Sequence, residues 1–176
     1  MKYIIANWKL NGSKLLLNEF LNQFSTYSSD NYIVLCPPYL LLSDLDSITI
    51  DNFFIGSQNV SEYDNGAFTG EISAEMLADN KIVYSIVGHS ERRTLLAETD
   101  EKINIKIKQL LRHDITPILC IGENLEQRNT NTFKKIIDLQ LEKAFKNIKI
   151  YDQTIIIAYE PIWSIGTGVT PETKNQ

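Results

Sequence analysis

Six short stretches of the chain are almost wholly apolar: Tyr3–Asn7, Tyr32–Cys36, Phe53–Ser57, Tyr84–Val87, Thr116–Ile121 and residues 154–159. They lack the apolar/polar alternation of a strand with one wet face, so each is expected to be a strand buried on both sides. Between them apolar residues recur at helical spacing, as Leu17, Phe20, Leu21 and Phe24, then Ile103, Ile107, Leu110 and Leu111, then Phe133, Ile136, Ile137, Leu141 and Ala144. Strand and helix alternate, and the strand starts lie far enough apart for the crossovers that parallel pairing needs. This pattern predicts an α/β fold with a parallel sheet and right-handed connections. An open dinucleotide-binding sheet loses its main support, since no GxGxxG follows the first strand. The expected architecture is a (β/α)8 barrel, with about six βα units present and residues 1–176 forming one domain.

Composition narrows the function classes. A chain of 176 residues with 43% hydrophobic content builds one sizeable core. The net charge of -5, with no cluster of Lys or Arg, argues against a nucleic-acid surface and favours a small-molecule partner. Cys36 and Cys120 each end an apolar run without CxxC spacing, and are expected to be buried free thiols rather than a disulfide or a metal site. The N-terminal apolar stretch is too short for a signal peptide, and no run reaches the roughly 18 apolar residues of a membrane span. A soluble, cytoplasmic protein without membrane contact is expected.

In parallel βα folds the chemistry gathers where the strands end. The sixth run ends at Glu160, ahead of Pro161, Ile162, Trp163, Ser164, Ile165, Gly166, Thr167 and Gly168, a proline-led and glycine-closed loop built like a hinged lid. Glu160 reads either as a capping carboxylate or as a catalytic base under that lid. Lys9, after Asn7 and Trp8, is either a solvated loop lysine or a cation aimed across the strand ends. The fourth strand ends in Gly88-His89-Ser90-Glu91-Arg92-Arg93, where a helix is expected to start at the serine. The helix N-terminus disfavours a second proton on His89, whereas His113, at a helix end, fits a structural role. Phe68 and Thr69 form a loop tip between Gly66 and Gly70, either folded back on its own core or entering a second subunit. Base, neutral donor and cation around one mouth suit proton abstraction next to a carbonyl, and the lid glycines suit an anionic, phosphorylated substrate. No nucleophile, metal set or cofactor motif joins them.

The segments Asn7-Trp8-Lys9-Leu10-Asn11-Gly12, Gly66-Ala67-Phe68-Thr69-Gly70-Glu71, Gly88-His89-Ser90-Glu91-Arg92-Arg93, Cys120-Ile121-Gly122-Glu123 and Ala158 to Gly168 resemble the triosephosphate isomerase family in order and spacing. The resemblance implies a TIM barrel and cofactor-free interconversion of dihydroxyacetone phosphate and D-glyceraldehyde 3-phosphate, in glycolysis and gluconeogenesis. It implies that Glu160 is the base, His89 the electrophile and Lys9 the cation, with Asn7 beside it and Glu91 supporting both. It further implies that Gly166 offers its N-H to the phosphate, and that Phe68 and Thr69 enter the partner of a homodimer. Leu10 and Ser164 depart mildly from the family pattern. A complete barrel runs to about 250 residues, so the resemblance also leads one to expect that the last two βα units, with their phosphate loops, lie outside these 176 residues. On that expectation the chain is an incomplete record of a longer isomerase, a decayed gene product, or one completed by a second polypeptide. The competing functional class is a non-catalytic homologue that keeps only the interaction surface. Another phosphosugar enzyme on the same barrel is a weaker alternative.

Overall fold

The computed structural model describes residues 1–24, 28, 30–45, 48–149, 153–165 and 167. Six parallel strands form one sheet in sequential order: β1 (Tyr3–Asn7), β2 (Tyr32–Cys36), β3 (Phe53–Ser57), β4 (Tyr84–Val87), β5 (Thr116–Ile121) and β6 (Ile156–Tyr159). The helices are α1 (Lys14–Phe24), α2 (Ala74–Asp79), α3 (Ser90–Leu95), α4 (Asp100–Arg112), α5 (Leu125–Asn129) and α6 (Phe133–Ala144). Between β2 and β3 two single 3-10 turns, Tyr39–Leu41 and Ser43–Leu45, replace the helix that strict alternation would supply.

The sheet is curled. Neighbouring strands lie about 4.8 Å apart, so β1 and β4 in a flat sheet would be separated by roughly 14 Å. Yet the rings of Tyr3 and Tyr84 sit 6.3 Å apart and edge-on. Tyr32 and Phe54 complete the ring of four, with centroids 5.1 Å from Tyr3 to Tyr32 and 5.5 Å at each of the other two contacts. Above this aromatic floor, Val34, Cys36, Ile86, Ile118 and Cys120 fill the concave face, with Ile5, Ile156 and Ala158 packed against them. The chain is thus a partial (β/α)8 barrel of about six βα units with a packed interior.

The opposite face carries the helices. α4 starts at Thr99, whose side chain caps the Lys102 N-H, places Asp100 and Glu101 in its first turn and Arg112 in its last, and buries Ile103, Ile107 and Leu110. Those residues join Val87, Leu119, Ile121 and Ala144 in the largest apolar cluster. Leu17, Leu35, Leu41 and Leu45 form a smaller one with Phe20 and Leu21, as the periodicity of α1 requires.

Two expectations need correction. The sixth strand begins at Ile156, because its ladder to β5 starts at the Ile118↔Ile156 pair and leaves 154 and 155 unpaired. Nor are all six strands buried on both faces: Ile4 is 48% and Ile157 47% exposed. β1 and β6 are the outer strands of the described sheet, and an apolar run records what a strand is made of rather than what covers it. The short helices α2, α3 and α5 span at most six residues, too few for an apolar period to register.

Gly56 on β3 shows how tightly the concave face is filled. A Cβ there would lie 2.7 Å from Cys36 Sγ and 3.2 Å from both Val34 and Tyr84 side chains. The Gly56→Ala variant is expected to lose about 1–3 kcal/mol of stability, read as a lower urea midpoint with an unchanged slope. An unaltered midpoint would show that this interior has room to spare.

Candidate active site

Asn7, Lys9, His89, Glu91 and Glu160 sit at or just past the strand ends at one mouth. Lys9, two residues beyond β1, has a left-handed backbone (φ 54°), which is uncommon outside glycine and costs of order 1 kcal/mol or more. Its neighbours hold it there: Asn7 Oδ1 accepts the Lys9 N-H at 2.9 Å, and Gln58 Nε2 donates to the Lys9 carbonyl at 2.9 Å and to the Cys36 carbonyl at 2.9 Å. So held, the lysine sends Nζ to Glu91 Oε1 at 2.6 Å.

His89 is the N-cap of α3, which starts at Ser90. Its Nδ1 accepts the Glu91 N-H at 3.3 Å. The Glu91 carboxylate also lies 3.4 Å from Nδ1, but a nitrogen that receives an N-H carries no proton of its own, so the backbone contact governs. The proton is therefore on Nε2, which faces Glu160 Oε1 at 3.0 Å. Glu160 Oε2 accepts the Ser90 N-H at 3.0 Å. Burial pushes the Glu160 carboxyl up, but the hydrogen bonds from His89 and from the Ser90 N-H outweigh it and hold the group below the ordinary carboxylate range. Cys120 lies beside it on the concave face. Burial first, then the Glu160 carboxylate, push that thiol far up, and burial alone pushes Cys36 to about 12, so both remain inert thiols.

The structure thus joins Lys9, Glu91, His89 and Glu160 in one chain of contacts, with Asn7 at its first link. A cavity of about 370 Å3 opens on the lysine side of this chain, lined by Asn7, Lys9, Gln58, His89 and Glu91, with Leu10, Leu95 and Leu96 at its rim. Glu160 does not line it and lies beyond the imidazole. Phe68 and Thr69 are not brought to this mouth: Phe68 stacks on Tyr63, with centroids 3.6 Å apart and planes 5° from parallel, and Thr69 is exposed. Of the lid, Pro161 leads into a 3-10 turn at Ile162–Ser164, followed by Ile165 and Thr167. Gly166 and Gly168 lie outside the described residues.

Sequence reasoning gave no role to two buried carboxylates. Glu123, fully buried, accepts from Tyr159 Oη at 3.0 Å and Trp163 Nε1 at 2.9 Å, and faces Arg128 at 3.4 Å. The Arg128 guanidinium stands 4.5 Å from the Phe133 ring centre and 5.6 Å from that of Trp163. The base of the lid is thereby tied to β5. A signal exists in the sequence, since Glu123 follows a buried run much as Glu160 does. Glu98 carries none: it follows the short α3, yet accepts from the Gly88 N-H at 3.0 Å, Arg92 Nε at 2.6 Å and Lys106 Nζ at 2.6 Å. Burial pushes the Glu98 carboxyl up, but Lys106 and Arg92 together hold it below its ordinary value. Burial also pushes the Lys106 ammonium down against the pull of Glu98. One carboxylate oxygen, Oε2, takes both cationic donors. Among the described residues no three His, Cys, Asp or Glu are grouped to hold a metal, and no helix is long and apolar enough to cross a membrane.

Comparison with known proteins gives the same frame. The family model described as triosephosphate isomerase matches residues 2–176. Proteins named triosephosphate isomerase from Mycoplasma mobile, Hahella chejuensis and Finegoldia magna are each 42% identical to this chain, over 96%, 99% and 98% of it. The chain spans 73%, 71% and 70% of their respective lengths.

A carboxylate whose folded pKa is depressed contributes stability that is in place above its unfolded pKa, about 4.3 for Glu, and lost as pH falls through the lower folded value. Glu98 is such a group. The Glu98→Gln variant is expected to lose about 3 kcal/mol at neutral pH, by leaving Lys106 without its charge partner. The deficit should shrink below about pH 4, where the parent also loses the charge. Urea-unfolding midpoints of parent and variant that keep a constant separation across that range would refute the assignment.

Proposed function

Since the chain belongs to the triosephosphate isomerase family, we propose that it interconverts dihydroxyacetone phosphate and D-glyceraldehyde 3-phosphate by proton transfer through an enediolate. The observation that carries the reading is the set direction of His89: Nδ1 is occupied by the Glu91 N-H, so Nε2-H is the donor, placed between Glu160 on one side and the Lys9–Glu91 pair on the other. The family is itself the reference case for a glutamate base beside a neutral histidine, so those roles come to Glu160 and His89 from the family, and the contacts here agree with them. Glu160 takes the carbon-bound proton. The Nε2-H of His89 and the ammonium of Lys9 stabilise the negative charge that develops on the substrate oxygens. Glu91 holds the lysine, and Asn7 fixes the backbone turn from which it projects.

In the structure Glu160 is engaged by His89 Nε2-H, a donor the substrate would need, and by the Ser90 N-H. Substrate binding would release the carboxylate from both. The lid follows Glu160 directly, so its closure and the movement of the base would be one event, with the Gly166 N-H meeting the phosphate. The reaction needs no cofactor in this reading. With dihydroxyacetone phosphate as substrate, Glu160→Gln is expected to lower kcat by roughly 10²- to 10⁴-fold with an unchanged circular dichroism spectrum. Turnover near the parent's would sink the reading, and a parent chain inactive on both triose phosphates would favour the non-catalytic alternative.

The proposed active form is a cytoplasmic homodimer. The cavity beside Lys9 has an apolar rim in which Leu10 is 99%, Leu95 77% and Leu96 62% exposed, and the Phe68–Thr69 tip does not line that cavity, with Phe68 40% exposed. An apolar rim and an aromatic loop tip left uncovered are surfaces that a second copy would cover. Phe68→Asp is expected to convert a dimer to a monomer in sedimentation analysis and to reduce kcat. A monomeric parent chain would refute the dimer.

A further inference from the structure

Gly122 follows β5 directly and is buried, and the Glu160 main chain lies against it. A Cβ on Gly122 would fall 1.8 Å from the Glu160 carbonyl oxygen and 2.8 Å from its carbon, so only a residue without a side chain permits the approach. On either side of Gly122 the two segments are laced together: the Glu160 N-H donates to the Ile121 carbonyl at 2.7 Å, and the Ile162 N-H to the Glu123 carbonyl at 3.1 Å. The intervening N-H and C=O of Gly122 are both taken by one side chain. Gln140, half-buried on α6, accepts the Gly122 N-H at 2.9 Å and donates its amide to the Gly122 carbonyl at 3.0 Å. The amide is in the one orientation that satisfies both bonds, since a flip would set donor against donor and acceptor against acceptor.

We propose that Gln140 is a positioning residue for the base. It clamps both main-chain groups of Gly122, and Gly122 is the floor on which the Glu160 backbone rests, so Gln140 sets where the carboxylate stands relative to His89 Nε2 and the Ser90 N-H. A residue with one donor and one acceptor on a planar head is required. Glutamate has no donor when ionised, and asparagine is shorter by a methylene. Glycine has more backbone freedom than any other residue, so an unclamped Gly122 would let the base shift, and misplacement by about 1 Å is enough to cost 10²-fold in rate. The inference rests on reading Glu160 as the base, and its test therefore has one arm that needs no turnover.

The test compares the parent chain with Gln140→Met, which keeps length and packing but neither hydrogen bond, and with Gln140→Glu, which keeps the acceptor and regains a donor only when protonated. The first readout is the His89 Nε2-H proton resonance, assigned with a His113→Asn variant because the chain has only two histidines. The second is kcat and KM for dihydroxyacetone phosphate. In Gln140→Met the resonance should move or broaden, and kcat should fall by about 10- to 100-fold with KM within about twofold. The kcat of Gln140→Glu relative to the parent should rise as pH is lowered towards the glutamate range, which a purely structural role would not produce. A resonance and a kcat both unchanged in Gln140→Met would overturn the proposal, as would a Gln140→Glu ratio that is low and flat with pH. If the parent turns over neither triose phosphate, a resonance that still responds to Gln140 upholds the positioning role while the isomerase reading falls.

Discussion

Parallel, in-register pairing is the constraint on which everything else in this structure depends. Because β1 to β6 all run the same way, every strand delivers its last residues to one edge, and curling brings β1 within reach of β4. Lys9 and Glu91 are 82 positions apart in sequence yet 2.6 Å apart in space for that reason alone. The four-ring floor of Tyr3, Tyr32, Phe54 and Tyr84 sits at the opposite end of the same strands. Floor and mouth follow from one geometry: large rings fill the end where the strands begin, and polar groups occupy the end where they stop.

Among the described residues, buried charge is present only where it is answered. Glu98 takes three donors, Glu123 takes Tyr159, Trp163 and Arg128, and Glu160 takes His89 and Ser90. Their consequences differ. Glu98 and Glu123 sit in closed sets of protein partners, which makes them rigid supports of the mouth and of the base of the lid. One partner of Glu160, His89, lines the cavity and in the proposed reaction turns its Nε2-H to a substrate oxygen, so the satisfaction of this carboxylate is exchangeable. This separates a carboxylate that stabilises the fold from one placed to react.

The mouth also concentrates local cost. Lys9 holds a left-handed backbone, Glu160 is pressed against Gly122, and His89 is fixed in one tautomer by the first turn of α3. Each is imposed by a neighbouring group: Gln58 past β3 on Lys9, Gln140 on Gly122, and the Glu91 N-H on His89. Rigid placement of this kind is what proton transfer needs, since reactivity depends on sub-ångström position.

The alternation of apolar runs with helical periods is enough to read the α/β class, the parallel order of the strands and the ends at which Lys9, His89 and Glu160 lie. Those are local properties: an unbroken apolar run marks a strand, and the residue after a run is at a strand end. The start of β6 and the exposure of Ile4 and Ile157 are not legible, because pairing and cover depend on what lies alongside. Glu98 and Gln140 are invisible for the same reason, as a carboxylate after a short helix and an amide on a helix face acquire meaning only from partners elsewhere in the fold. The sequence by itself determined which chemical groups stand at the mouth. Only the tertiary structure decided which of them touch, which nitrogen of His89 carries the proton and what holds the base in place, because those depend on distances between chain segments that no local pattern encodes.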